Sequence, residues 1–332
     1  MVGEQESAND NNNGYNDIYA EWDNIETINS IKDALELYHN VTLVEANEDA
    51  FEKFRKLKPD IVFNFAECAY GLSREAQIPA MLDMLRIPYT GSDPLTLATC
   101  LNKARTKEIL SYNKIANAKF IVASSVDDLK NFDLALPVIV KPLAEGSSKG
   151  IFNSSLVTDR NQLIDSVSLN TAKYNQPFII EEFLPGREFT AAILGNNGSA
   201  TVLPLVEVNF GELPKDIHPI YSYEAKWVYD TSDNPLDIFS CPASVDADLL
   251  NNINSIVLKT YNVLNCKDWC RIDVRLDANN NPNIIEVNPI PGILPKPEDN
   301  SCFPKAARAH GLSYSDLVNS VLTSAAKRYG LL

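Results

Sequence analysis

Two alternating segments near the C-terminus constrain the fold more than any other feature of this sequence. They run from Arg271 to Leu276 and from Asn283 to Asn288, and residues 277–282 between them are rich in Asp, Asn and Pro, which favour turns. Polar and apolar residues alternate in both segments, as they do in strands that turn one face to a core. The pattern predicts a β-hairpin in a chain of mixed α and β structure.

One face of this hairpin has the composition of a metal site. Side chains alternate along a strand, so Glu286 and Asn288 share a face, while Ile285 and Val287 are expected to point to the opposite side. Antiparallel pairing can bring Asp273 next to the first two. Two carboxylates and an amide oxygen, with no sulfur or imidazole, suit a hard cation such as Mg²⁺. The alternative is an exposed hairpin that only carries charges.

A second candidate site follows a short predicted strand. Residues 137–142 are apolar apart from Lys141, and the loop at residues 145–150 is rich in Gly and Ser. Glycine lets the backbone approach phosphate oxygens closely, and the hydroxyls of Ser147 and Ser148 can donate hydrogen bonds to them. Lys141 adds a point charge. The spacing is not that of a Walker A loop, and a flexible surface turn is the alternative.

The same loop also matches a hydrolase motif. Residues 146–150 read as GxSxG, and Asp277 and His310 follow Ser148 in the chain order of an α/β-hydrolase triad. That motif requires a strand directly before the serine and a helix directly after it, whereas the predicted strand here ends at Lys141. A serine hydrolase is therefore kept as a minor alternative.

A third candidate site lies at residues 178–188. Phe178 to Leu184 reads as an apolar strand that carries Glu181 and Glu182 near its end, and Glu188 follows shortly after. The backbone at such a strand end can pair with the amino group of an adenine, and a carboxylate just beyond it can hold ribose hydroxyls. An ordinary core strand with a solvated end is the alternative.

Composition narrows the location and the partners. The 332 residues carry a net charge of −15, which argues against nucleic acid and against an anionic membrane surface. No apolar run approaches the ~20 residues that cross a bilayer, and the N-terminus lacks the apolar core of a signal peptide. The six cysteines form no CxxC pair and read as reduced structural thiols. We expect a cytoplasmic protein.

Periodicity divides the chain into four parts. They are a disordered polar tail (1–13), an N-terminal domain (14–95), a central lobe (96–183) and a C-terminal lobe (184–332). The N-terminal domain is expected to contain a helix starting at Asp23 and a small parallel sheet with strands at 41–44, 60–65 and 87–90.

Helix signals are clear in the two lobes. Apolar spacing predicts one continuous helix over residues 97–112. Asp159 with Gln162, and Ser313 with Asp316, have the spacing of a capping box, in which two residues three apart satisfy the free amides at a helix start. Helices are therefore expected to begin just after Asp159 and Ser313.

Taken in order along the chain, these segments resemble the ATP-grasp superfamily and, within it, the D-alanine–D-alanine ligase family. The resemblance extends from about residue 60 to the C-terminus. It is carried by residues 87–92, Lys103, 136–150, 180–190, 223–226, 241–243, 271–274, 286–288 and Gly292. It implies an α/β ATP-grasp fold, in which two lobes clamp ATP, with an N-terminal parallel-sheet domain whose usual first strand has no counterpart here.

The resemblance also implies roles for individual residues. The implied nucleotide-binding set is Lys103, Lys141, Ser147, Ser148, Glu181, Glu182, Phe183, Leu184 and Glu188. The implied metal set, for two Mg²⁺ ions or for Mn²⁺ in their place, is Asp273, Glu286 and Asn288. The implied catalytic set is Arg271, Gly292, Lys226 and Ser147. Arg271 and the Gly292 amide would stabilise the oxyanion formed when an amine attacks.

The substrate positions depart from the family. Its N-terminal glutamate has no counterpart, and its His-Gly segment is replaced around Glu67, a candidate substrate contact. Trp227 stands where the family has tyrosine. Residues 293–304 are longer and richer in proline than the family segment and are expected to form the acceptor pocket, with Lys296 pairing an acceptor carboxylate and Ser301 hydrogen-bonding to it. A basic acceptor and a surface insertion that never touches substrate are the alternatives.

The expected function is that of an ATP-dependent carboxylate–amine ligase of the acid–amino-acid type. Such an enzyme forms an amide bond through an acyl phosphate and releases ADP and phosphate. Its substrates would be small carboxylates and amines such as amino acids or peptides, and the habit of the family suggests a homodimer. The main alternative is an ATP-grasp protein that binds nucleotide without ligase turnover.

Overall fold

The computed structural model describes residues 24–68, 70–230 and 236–332. The predicted tail at 1–13 and the predicted helix start at Asp23 lie outside these residues. The helices are α1 (Ile25–Glu36), α2 (Ala50–Leu57), α3 (Gln77–Leu85), α4 (Pro94–Leu101), α5 (Lys103–Tyr112), α6 (Arg160–Tyr174), α7 (Ala247–Val263), α8 (Cys302–Ala309) and α9 (Tyr314–Arg328). The strands are β1 (Phe120–Ala123), β2 (Val138–Pro142), β3 (Leu156–Val157), β4 (Phe178–Glu182), β5 (Glu188–Leu194), β6 (Thr201–Val202), β7 (Val206–Val208), β8 (Phe239–Ser240), β9 (Trp269–Leu276) and β10 (Pro282–Asn288).

The N-terminal part of the described chain is largely helical. Of the three strands predicted there, only a single parallel bridge between Val62 and Tyr89 forms within the described residues. The Val62 amide donates to the Pro88 carbonyl at 2.8 Å, and the Thr90 amide donates to the Val62 carbonyl at 2.9 Å. The predicted sheet is therefore reduced to one bridge, because an extended segment becomes a strand only where a neighbour pairs with its backbone.

The prediction of one continuous helix over residues 97–112 is wrong, because these residues belong to two helices, α4 and α5. Asn102 has an extended backbone, with φ −85° and ψ 98°, and separates α4 from α5. Its side chain caps α5 by accepting a hydrogen bond from the Arg105 amide at 3.1 Å. The break places Lys103 at the first position of α5.

A four-stranded antiparallel sheet forms the central lobe, in the order β1-β4-β2-β3. Lys141 on β2 lies opposite Ile179 on β4, which puts Glu181 in the diagonal position on the same face. α6 packs Leu163 against this sheet. Asp159 caps α6 by accepting a hydrogen bond from the Gln162 amide at 3.0 Å. The Gln162 side chain accepts from the Thr158 amide and not from that of Asp159, so the second half of the predicted capping box does not form.

The second sheet has the order β10-β9-β5-β7-β8, with β6 paired to β5. β9 and β10 form the predicted hairpin, but a β-bulge between Ile284 and Glu286 shifts the register and sets Glu286 directly opposite Asp273. Ile284 and Val287 therefore pack in the core, and Ile285 faces a cavity between the two sheets. The predicted core direction of Ile285 is wrong, because the extra residue of a bulge breaks the alternation of side chains.

The C-terminal helices tie the two ends of the described chain together. α9 begins with the predicted capping box: the Ser313 hydroxyl donates to the Asp316 carboxylate at 2.6 Å, and the Asp316 amide donates to the Ser313 hydroxyl at 3.1 Å. The Asn319 side chain donates to the Ala34 carbonyl of α1 at 2.8 Å. The domain boundaries at residues 95 and 183 stay a prediction.

The six cysteines are free thiols, as expected. Within residues 24–68, 70–230 and 236–332, no helix has the length and apolar character needed to cross a membrane.

Candidate active site

A cavity of about 480 Å³ lies between the two sheets. The predicted site residues that line it are Glu67, Lys141, Ser147, Ser148, Glu181, Glu182, Leu184, Glu188, Lys226, Trp227, Arg271, Asp273, Glu286, Gly292 and Ser301. Lys103 and Asn288 contact these lining residues, whereas Phe183 and Lys296 do not line the cavity. The tertiary structure thus brings the three separately predicted sites to one place.

The bulged hairpin concentrates carboxylates at one side of the cavity. Glu286 lies opposite Asp273 in the β9–β10 ladder, so their side chains share a face. The Asn288 side chain donates to Asp273 Oδ2 at 3.2 Å, and the Arg271 guanidinium donates to the same oxygen at 3.1 Å. Thr190 of β5 donates to Asp273 Oδ1 at 2.8 Å. The structure brings the predicted metal set together, and its role stays a prediction.

Lys103 reaches this hairpin from α5. Its Nζ lies 2.8 Å from Glu286 Oε1 and also donates to the Glu145 carbonyl. Burial by itself would raise the pKa of Glu286, but the nearby Lys103 and Lys141 outweigh burial and lower that pKa to about 2. Glu286 is therefore ionised at neutral pH.

Glu181 joins two lysines at the edge of the cavity. Its Oε2 lies 2.9 Å from Lys141 Nζ, and its Oε1 lies 3.3 Å from Lys107 Nζ. Burial would raise the pKa of Glu181, but the two ammonium groups outweigh it and lower that pKa. A charged triad thus occupies the position where the sequence predicts an adenine contact.

Glu188 is held by a buried arginine. Arg275 Nη1 lies 2.9 Å from Glu188 Oε2, and the guanidinium lies 4.7 Å from the centroid of the Phe183 ring. The Phe183 amide donates to the Pro137 carbonyl at 3.2 Å. Phe183 therefore supports Arg275 and, through it, Glu188, and its own amide already has an acceptor.

The Gly/Ser loop is docked against the segment that carries Lys226. Ser147 and Ser148 adopt left-handed backbone with φ of 49° and 61°, which is uncommon for residues other than glycine. The Ser148 hydroxyl donates to the Tyr221 carbonyl at 2.9 Å, and the Trp227 indole N–H donates to the Ser147 carbonyl at 3.2 Å. Trp227 therefore contacts the loop as a hydrogen-bond donor.

The hydrolase alternative lacks its geometry. His310 lies at the end of α8, exposed and away from the cavity lining, and Asp277 is half-buried in the hairpin turn and does not line the cavity either. No helix directly follows Ser148 in the described chain, where a turn and a short 3₁₀ segment lead into β3. The Ser148 hydroxyl has no histidine base to activate it.

Ser148 is expected to stay unlabelled by a fluorophosphonate probe, because an unactivated serine hydroxyl is a weak nucleophile. Mass spectrometry of the intact protein after probe treatment measures this. Labelling that disappears in the Ser148→Ala variant would restore the hydrolase interpretation.

Lys226 also lines the cavity, beside Trp227. Burial, and then repulsion by Arg271, lower the pKa of Lys226 to about 8, while the Glu67 carboxylate opposes this. Its Nζ lies 4.9 Å from the centroid of the Trp227 ring. Lys226 is therefore charged at pH 7 and loses its charge at mildly alkaline pH.

The segment at residues 293–304 reaches the cavity, but Lys296 does not. Lys296 Nζ pairs with Glu26 of α1 at 2.7 Å, and nearly half of its side chain is exposed. The Ser301 hydroxyl lines the cavity and donates to the Gly292 carbonyl at 3.0 Å. The predicted position of Lys296 is therefore corrected: α1 supplies its counter-charge, at a place that the sequence pattern does not reveal.

The charged groups at the site that were not assigned from the sequence include Lys107, Arg275 and Glu145. Lys107 had a signal, because it lies four residues after Lys103 on one helix and so shares its face. Arg275 had one too, since it shares a strand face with Asp273. Glu145 pairs with Arg74, 71 residues away along the chain, at 3.2 Å, and no local pattern predicts such a contact.

Two antiparallel sheets close on a cavity lined by lysines, arginines and carboxylates. A solved D-alanine–D-alanine ligase of Bacillus anthracis, complexed with ATP, has this fold, with a TM-score of 0.72 at 22% identity over 100% of this chain and 97% of that one. The VanG D-Ala:D-Ser ligase of Enterococcus faecalis has a TM-score of 0.64 at 24% identity, over 80% and 73% of the two chains.

Comparison of this sequence with those of known proteins identifies the family of the chain. The model for the D-ala D-ala ligase C-terminus matches residues 108–323. The D-alanine–D-alanine ligase of Moorella thermoacetica is 31% identical, over 86% of this chain and 88% of that relative. The uncharacterized protein y4sG of Sinorhizobium fredii is 32% identical, over 88% and 84%. The chain belongs to the D-alanine–D-alanine ligase family and is an ATP-dependent carbon–nitrogen ligase, which confirms the predicted fold and class.

Proposed function

We propose that this ligase joins the carboxylate of one amino acid or short peptide to the amine of another through an acyl phosphate. One observation carries the proposal: cation–carboxylate pairs surround a single cavity, and three of them carry the argument. The pairs are Lys103–Glu286, Lys141–Glu181 and Arg271–Asp273. Cations of this kind bind phosphate groups, and carboxylates beside them can hold the metal that accompanies ATP.

Mg²⁺ is the proposed metal, with Asp273, Glu286 and Asn288 as its ligands. All three offer oxygen donors, and Glu286 is ionised at neutral pH, so the set fits a hard cation. Among the residues that the structure describes, no three His, Cys, Asp or Glu side chains form a metal cluster, so phosphate oxygens and water would complete the coordination. Bound there, one or two ions of Mg²⁺, or Mn²⁺, would neutralise charge during phosphoryl transfer.

The residues of the chain bind the nucleotide, exclude water and stabilise charge. Lys141 contacts the phosphates and Glu188 the ribose. The Gly/Ser loop, held by Trp227, covers the site, because water would otherwise hydrolyse an acyl phosphate. Arg271 and the Gly292 amide stabilise the oxyanion that forms as the amine attacks.

The acceptor pocket is proposed at residues 299–302. These residues line the cavity together with Gly292, beside the place where the amine must arrive. The Asn300 side chain donates to the Asp230 carboxylate at 2.7 Å, which holds the segment in position. The other substrate is proposed to lie near Glu67, which also lines the cavity. A homodimer stays a prediction.

A coupled assay of ADP release over D- and L-amino acids and dipeptides tests this function. We expect ADP release that needs both a carboxylate and an amine substrate, and an amide product in equal amount. With hydroxylamine in place of the amine, the acyl phosphate should be trapped as a hydroxamate. ADP release without an amide or hydroxamate product would contradict the proposal.

The pH dependence should report Lys226. The proposed role of Lys226 is to stabilise phosphoryl charge, which requires its protonated form. With a pKa of about 8, the positive charge of Lys226 is present below pH 8 and is lost as the pH rises. We expect kcat/KM for ATP, which reports the free enzyme, to fall above about pH 8. In Lys226→Arg, whose guanidinium stays charged, the falling limb should move to higher pH. An identical limb in both proteins would assign it to another group.

A further inference from the structure

Lys107 is a buried lysine directly beneath the cavity. It lies on α5, and only 2% of its side chain is exposed. Its Nζ lies 3.3 Å from Glu181 Oε1 and makes a longer contact of 3.5 Å with the Ile284 carbonyl. Lys107 does not line the cavity, so it can act on a ligand only through Glu181.

Glu181 is shared between Lys107 and a cation that does line the cavity. Its second oxygen lies 2.9 Å from Lys141 Nζ, and 4% of the Glu181 side chain is exposed. A carboxylate this deep needs a partner, because an unpaired buried charge is costly. If Lys141 were the sole partner, the pair would be neutral and Lys141 would attract an anion only weakly.

In the Lys103–Glu286 and Arg271–Asp273 pairs, the cation can be released in a way that is not open to Lys141. The carboxylates that pair with Lys103 and Arg271 are Glu286 and Asp273, which belong to the proposed metal set. A metal ion that binds these carboxylates would free both cations for the nucleotide. Glu181 lies on the first sheet and does not belong to that set. The cation that can neutralise Glu181 is not a metal ion but a residue of the chain, Lys107.

We propose that Lys107 is a positioning residue that neutralises Glu181 from beneath, so that Lys141 keeps a positive charge directed at the phosphates of the nucleotide. The proposal rests on the proposed role of Lys141 as a phosphate contact. Lys107 and the proposed metal ion would then have the same effect: each neutralises a carboxylate, so that a neighbouring cation can bind phosphate. The metal ion can leave the site, whereas Lys107 is part of the chain.

The net charge of the triad provides the test. With both lysines protonated and Glu181 ionised, the wild-type triad carries one positive charge. Lys107→Met leaves no net charge while keeping the shape of the side chain. The double variant Lys107→Met/Glu181→Gln carries one positive charge again. Calorimetric titration with adenosine and with ADP separates the two effects, because adenosine has no phosphate and reports only the shape of the pocket.

We expect Lys107→Met to weaken ADP binding at least about tenfold and adenosine binding less than about twofold. The double variant should recover the wild-type ratio of ADP to adenosine affinity, even though Glu181→Gln changes the adenine contact. Where Lys107→Met fails to fold, Lys107→Gln makes the same change of charge while keeping a hydrogen-bond donor for Glu181, and the same loss of ADP affinity is expected. Arg105→Met, on the same helix but exposed, is the matched control for lost charge and should leave both affinities unchanged.

Several outcomes would overturn the proposal. Equal weakening of ADP and adenosine in Lys107→Met would give Lys107 only a structural role, as would a double variant that does not recover the ratio. Unchanged ADP affinity in Lys107→Met would contradict the proposal directly. Lys141→Ala tests the proposed nucleotide site separately. If Lys141→Ala leaves ADP affinity unchanged, the proposed nucleotide site itself is wrong. If Lys141→Ala weakens ADP binding but Lys107→Met does not, only the inference about Lys107 is wrong.

Discussion

Asp273→Asn and Glu286→Gln are each expected to reduce ADP formation at least about a thousandfold. The two carboxylates face each other across the β9–β10 ladder and are the only charged oxygen donors in the proposed metal set. The amide variants keep the shape of each side chain but remove the charge that is proposed to hold Mg²⁺ against ATP. The coupled ADP assay, at saturating Mg²⁺, measures the loss.

The hairpin supplies its own control. Asp277→Asn makes the same chemical change in the exposed turn between β9 and β10, away from the cavity, and should keep near-normal turnover. Thermal melting of each variant shows that it is folded. Near-normal turnover in Asp273→Asn or Glu286→Gln would remove the hairpin from the metal site.

Removal of Mg²⁺ with EDTA is expected to weaken the binding of a non-hydrolysable ATP analogue about a hundredfold, or about 2.8 kcal/mol. Without metal, Lys103 stays paired with Glu286 at 2.8 Å and Arg271 with Asp273 at 3.1 Å. The phosphates then meet neutral pairs rather than free cations. With metal, the carboxylates are expected to bind Mg²⁺, which would leave the two cations free to bind the phosphates. Calorimetric titration with and without Mg²⁺ measures the difference.

The double variant Asp273→Asn/Glu286→Gln makes this expectation sharper. It frees Lys103 and Arg271 without any metal, so it should bind the metal-free analogue more tightly than the wild-type protein does. It should also lose most of its dependence on Mg²⁺. If the double variant binds the metal-free analogue more weakly than wild type, or keeps the full metal dependence, the exchange of partners is not how the site works.

Local signals predicted much of the fold. The strands β2, β4, β9 and β10 lie where alternation or apolar runs place them, and Asp159 and Ser313 cap their helices as expected. These features depend on residues within a few positions of each other, so the sequence shows them directly. The fold predictions that were wrong are the continuous helix through Asn102, the direction of Ile285 and the N-terminal sheet. A bulge or a missing strand partner depends on the pairing of two segments, which neither segment shows by itself.

The candidate site likewise has features that the sequence predicted and features that it did not. Chemical types at fixed spacing pointed to Lys141, Glu181, Asp273, Glu286 and Asn288, and the structure brings all of them to one cavity or its immediate contacts. Spacing alone could not show which charge neutralises which. Glu181 is shared with a lysine 74 positions earlier, and Lys296, predicted to meet a substrate, instead pairs with Glu26, 270 positions away.

The sequence by itself determined most of the elements, the ligase family and most of the charged residues that such a site needs, because side-chain chemistry and short-range periodicity are local properties of the chain. The tertiary structure alone decided how those charges are paired. Ion pairs depend on distances of a few ångströms between segments far apart in sequence, and a one-residue bulge or a helix break shifts them by that amount. Here the bulge sets Glu286 opposite Asp273, and the break at Asn102 starts α5 with Lys103 against Glu286.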